Sequence, residues 1–156
     1  MALPSGTSKL SFSGEEEVTD GSNSAVTNGS KSVQADLSGG AGWTNTGDAA
    51  TASFKLVAAF ASAPTVNTTI GLYARLMNVD GTNDEPIPDA TFNGRFIGEF
   101  VLDAVTASTP YIEPDRVLPM WETGQVIEFY IKNNSGQTMS ANWRLYVNPT
   151  GFGTVA

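Results

Sequence analysis

The chain has 156 residues, enough for one self-supporting domain, and 40% hydrophobic content with three Trp, eight Phe and four Tyr argues against global disorder. It has no Cys and no His, which excludes disulfides, thiol nucleophiles, thiolate or imidazole metal ligands and a Ser-His-Asp triad. A formal net charge of −8 disfavours free nucleic acid and anionic membrane as partners.

The opening Met1-Ala2-Leu3-Pro4-Ser5-Gly6 lacks the basic and apolar regions of a secretory signal, so the chain is expected to be cytosolic when made, or to join an assembly built there. No apolar run reaches the ~20 residues of a membrane-spanning helix. Residues 1–8 read as an extended N-terminal arm, 9–150 as a single β domain and 151–156 as a C-terminal tail. Short strands are expected at Lys9–Phe12, Val33–Leu37 and Tyr111–Ile112. Between the first two lies a Ser/Asn/Gly-rich segment with a small repeat, Val18-Thr19-Asp20-Gly21-Ser22-Asn23-Ser24 and Val26-Thr27-Asn28-Gly29-Ser30-Lys31-Ser32. Its Asp-Gly and Asn-Gly pairs favour tight turns, and the segment reads as a mobile loop or an edge hairpin.

The clearest alternation follows: Ala52, Phe54, Leu56, Ala58 and Phe60 share one face of a strand. A second strand runs from Val66 to Met77, with Ile70, Leu72, Ala74 and Leu76 on one face. The short Pro64-bearing link makes these two either a hairpin or a corner between sheets. Arg95–Asp103, Gln125–Lys132 and Thr138–Val147 complete the set, the last with Met139, Ala141, Trp143, Leu145 and Val147 inward. Asn133-Asn134-Ser135-Gly136-Gln137 predicts a hairpin turn between the final two strands, since Asn and Gly tolerate positive φ. The fold class is all-β: an antiparallel β-sandwich or jelly roll of about eight strands with an N-terminal arm.

Candidate chemistry is sparse. Asp80, Asp84 and Glu85, in the long Asn78–Asn93 loop, are calcium-type ligands in kind, but their spacing fails the EF-hand pattern, and a solvated acidic turn is the other reading. Glu99, Asp103, Glu113, Asp115, Glu122 and Glu128 could pair as glycosidase carboxylates only if the fold brought two to the right separation. Trp43 and Trp121 fit either a glycan-stacking platform or a subunit interface, whereas Trp143 fits the core. The eight cations, Lys9, Lys31, Lys55, Arg75, Arg95, Arg116, Lys132 and Arg144, are scattered, with no two adjacent. These readings name no catalytic, cofactor or metal residue and point away from an enzyme.

Val126-Ile127-Glu128-Phe129-Tyr130-Ile131-Lys132-Asn133-Asn134-Ser135-Gly136-Gln137-Thr138 and Trp143-Arg144-Leu145-Tyr146-Val147, with Asp115-Arg116-Val117-Leu118-Pro119 before them, resemble head decoration (capsid cementing) proteins of tailed bacteriophages, of jelly-roll type. The resemblance covers about a quarter of the chain and rests on a strand-turn-strand. It implies a viral structural protein on the capsid exterior of the virion, a homotrimer bound to the major capsid protein, with no cofactor and no catalytic residue to carry over. A glycan-binding jelly-roll module of a phage tail or fibre is the alternative.

Overall fold

The computed structural model describes residues 8–12, 14–19, 22–33, 42–46, 49–77, 84–118 and 124–154. These form nine strands: β1 (Ser8–Phe12), β2 (Glu16–Glu17), β3 (Trp43–Asn45), β4 (Thr51–Ala58), β5 (Thr69–Met77), β6 (Arg95–Val101), β7 (Thr109–Val117), β8 (Gln125–Asn133) and β9 (Arg144–Thr154). One sheet has the order β1-β9-β4-β7, with β2 also on β9; the other has the order β3-β8-β5-β6. All pairs are antiparallel. The molecule is therefore all-β, a sandwich of two antiparallel sheets.

The pairing is nested. β1 and β2 lie on β9, β3 on β8, β4 on β7 and β5 on β6. The chain is in effect one long hairpin with its tip between β5 and β6, rolled so that successive pairs fall in alternate sheets. Lateral pairing of β4 with β9 and β5 with β8 closes each sheet.

Alternation explains which faces meet. Strand β4 buries Ala52, Phe54, Leu56 and Ala58 while the residues between them stay half-buried. Opposite them stand Ile70, Leu72, Ala74 and Leu76 of β5 and Ile127, Phe129 and Ile131 of β8. Phe54 meets Phe129 across the sandwich edge to face, with ring centroids 5.2 Å apart. Four connections gather at one end of the core around buried Met139, whose backbone bridges both Val26 and Phe60. Phe60 N–H also donates to Thr106 C=O at 3.0 Å, and Asn67 N–H to Leu102 C=O at 3.0 Å.

Several expectations need correction. The 133–137 turn forms, with Gly136 at φ 78°, but it joins no hairpin, because β8 and β9 belong to different sheets. Residues 138–143 are not strand apart from the bridge at Met139; Asn142 adopts φ 62°, and Ala141 is exposed rather than inward. Strand β9 begins at Arg144 and continues to Thr154, where its end pairs with β1. Strand β7 is nine residues long rather than two; Pro110 and Pro114 hide it in the sequence but are tolerated on an edge. The link between β4 and β5 is the corner between sheets. Val33 is exposed and outside any strand, and residues 34–37 lie outside the described set, as do residues 1–7 of the expected arm. Part of the Ser-rich segment is tied to β8: Gly29 N–H donates to Asn133 C=O at 2.7 Å and Ser32 N–H to Ile131 C=O at 2.9 Å.

Candidate functional site

Three of the candidate carboxylates, Asp103, Glu113 and Glu128, serve as struts, while Glu99 and Glu113 line one groove. Glu128 is fully buried on the outer face of the second sheet, where its Oε2 accepts from Arg75 Nη1 at 2.9 Å and from the Tyr130 hydroxyl. Burial, and then the Glu128 carboxylate, hold the Tyr130 hydroxyl far above the ordinary tyrosine range. Asp103 accepts from Tyr111 Oη at 2.9 Å and Val105 N–H at 3.0 Å. Glu113 is buried and ion-paired with Arg116. Glu99 is exposed on β6, while the Asp115 side chain and Glu122 lie outside the described residues.

Of the suggested calcium loop, Asp80 lies outside the described residues. Asp84 stands 3.8 Å from Arg75. Glu85 pairs with Arg95, accepts from Leu76 N–H at 3.0 Å, and offers its backbone C=O to Arg75. Burial by itself would raise the Glu85 carboxyl, but the Arg95 hydrogen bond and the Leu76 N–H hold it below the usual range. Among the described residues no group of three or more acidic side chains could hold a metal ion. Trp43 is in β3, buried against Phe129 at 6.2 Å, with its indole N–H on Glu16 at 2.8 Å. Trp143 is buried, as the sequence predicts, with its indole N–H on Ser24 C=O at 3.0 Å. Neither ring offers a face for stacking a sugar. Trp121 lies outside the described residues.

Two surface features do stand out. The first is the open edge of the sandwich. β6 is the last strand of one sheet and β7 of the other, and they run side by side. Phe96 and Val101 on β6 are 58% and 59% exposed; Ile112 and Val117 on β7 are 60% and 69% exposed. Phe96 and Val101 line a groove of about 380 Å3 together with Ile97, Gly98, Glu99, Glu113 and Arg116. Gly98 is what lets the two sheets meet there. A Cβ at this position would lie 2.5 Å from Glu113 Oε1, so the carboxylate leans into the space a side chain would fill. Pro110 and Pro114 remove backbone donors from β7, which disfavours addition of a strand there.

The second feature is a cleft of about 340 Å3 between the 28–31 turn and the 88–93 segment, with Lys132 of β8 among its lining residues. Lys31 and Lys132 face each other across an antiparallel bridge. The Lys31 ammonium donates to Asp89 C=O at 2.6 Å and Phe92 C=O at 3.4 Å, tying the two segments together. The sequence gives no sign of this pairing, since the two lysines sit at opposite ends of the chain and only the nested strand order brings them together. Comparison with protein-family models, with curated proteins and with solved structures finds no match for this chain.

Proposed function

We propose that the protein is a structural virion protein, a jelly-roll module that binds the outside of a tailed-phage capsid as a homotrimer and stabilises the shell. The observation that carries this reading is the β6/β7 edge, where Phe96, Val101, Ile112 and Val117 stay exposed on an otherwise well-buried sandwich. Exposed apolar side chains along two neighbouring edge strands favour association, and a cyclic trimer of this chain would cover them. The nested strand order supports a jelly roll, the topology that the resemblance implies. The engagement of Asp103, Glu113 and Glu128 as struts supports a structural rather than a chemical role. A rigid trimer gains avidity from three modest capsid contacts.

Light scattering on the full chain tests the assembly, and quantitative mass spectrometry of purified particles tests the location. A mass near three times 16.4 kDa, reduced to one subunit by Phe96→Asp with Ile112→Asp, is expected. Hundreds of copies per virion in fixed ratio to the major capsid protein are expected as well. A monomer at all concentrations would overturn the trimer, and absence from particles would overturn the virion assignment. A handful of copies would move the protein to a tail or fibre.

A further inference from the structure

We propose that the cleft between the 28–31 turn and the 88–93 segment is a binding site for a carboxylate, held between the ammonium groups of Lys31 and Lys132. The inference is independent of the virion reading. Lys55, Arg75, Arg95, Arg116 and Arg144 each have a carboxylate within ion-pair distance. Among the described side chains, Lys31 and Lys132 alone have none, and they line the same cleft in a chain of net charge −8. Like charges placed directly opposite on paired backbones repel each other, and an anion seated between them relieves that cost. Burial first, and then the nearness of Lys132, hold Lys31 below the usual lysine range, with Asp89 offsetting them in part.

Asp89 does not fill the anion's place. Its Oδ1 is turned into its own loop, accepting from Thr91 N–H at 2.7 Å, Thr91 Oγ1 at 2.8 Å and Phe92 N–H at 2.8 Å. It does set the charge of the ligand. Two ammonium groups against one rim carboxylate leave a single positive charge, which suits a monoanionic carboxylate better than a phosphate dianion. Lysine ammonium groups are point charges without bidentate geometry, so the cleft selects for charge and fit. The volume admits a group of small-ligand size, such as a uronic-acid sugar or an acidic side chain of a protein partner.

The test is a titration of the 15N-labelled full chain at constant ionic strength with sodium glucuronate, acetyl-glutamyl-amide, inorganic phosphate and glucose. Saturable shifts of the Gly29, Ala90 and Asn93 amides with one or both carboxylates are expected, and the tighter of the two identifies the source. Lys132→Gln should weaken that binding about tenfold or more, as loss of a charge-assisted contact does, while Lys132→Arg retains it; without ligand, Lys132→Gln should melt no lower than the parent, since it removes the repulsion. No saturable shift with either carboxylate, equal binding of glucose or phosphate, or a folded Lys132→Gln with undiminished affinity would each overturn the proposal.

Discussion

Glu128 is the residue whose environment departs furthest from what its position predicts. In the alternation of β8 it falls on the outer face, where a carboxylate should be solvated. The 84–94 segment instead folds over that face, and Glu128 is buried with Arg75 and Tyr130. Removing one partner of a buried ion pair strands the other charge, so Arg75→Ala should cost about 3–5 kcal/mol in denaturant unfolding. The triple change Arg75→Leu, Glu128→Leu and Tyr130→Phe removes charge and hydroxyl together and should recover most of that loss. A triple variant no more stable than the single one would refute this account. Tyr111 gives the chain an alkaline signature. Burial first, and then its hydrogen bond to Asp103, push its hydroxyl up to about 12. The folded state thus holds this proton more tightly than an unfolded tyrosine, which titrates near 10. The associated stability is complete below pH about 10 and is lost as pH rises through about 12. Tyr111→Phe should therefore flatten the fall in melting temperature over that window; an unchanged slope would assign the fall to other groups.

Among the elements, β4 and β9 best separate what local pattern conveys from what it does not. The face of β4 is legible in Ala52, Phe54, Leu56 and Ala58, because alternation of apolar residues specifies which side is buried. The extent of β9 is not legible. Its last part, Gly151–Thr154, has little apolar content, and its strand state comes from antiparallel pairing with Ser8–Leu10 and Ser11 of β1. Deleting residues 151–156 leaves only the Phe12–Thr150 pair of that ladder. The loss should be on the order of 2 kcal/mol, a few backbone hydrogen bonds at about 1 kcal/mol each. A melting temperature matching the parent would show that β1 contributes nothing to stability. β3 is not legible in the sequence for a related reason. Three residues, Trp43–Asn45, are too short for periodicity, and their strand state is set by β8 beside them. The tight turn at 133–137 was legible from Asn and Gly, but a turn specifies a change of direction and not the sheet that the chain next enters.

For the whole molecule, robustness without disulfides comes from the nested ladders and a core shared by both sheets. If the β6/β7 edge is covered in a trimer, assembly adds a further, concentration-dependent contribution. The melting temperature should then rise with protein concentration, and Phe96→Asp with Ile112→Asp should abolish the rise while leaving the monomer folded. A concentration-independent melting temperature in the parent, across a range where light scattering finds dissociation, would contradict this coupling. The sequence by itself determined the all-β class, the inward faces of β4, β5 and β8, the burial of Trp143 and the absence of thiol and imidazole chemistry. Each of these depends only on residue type or on spacing within one strand. Tertiary structure alone decided which strands are neighbours, and with that the burial of Glu128, the apolar β6/β7 edge and the meeting of Lys31 with Lys132. Strand pairing here is long-range, and alternation fixes a side chain's face without fixing the strand beside it.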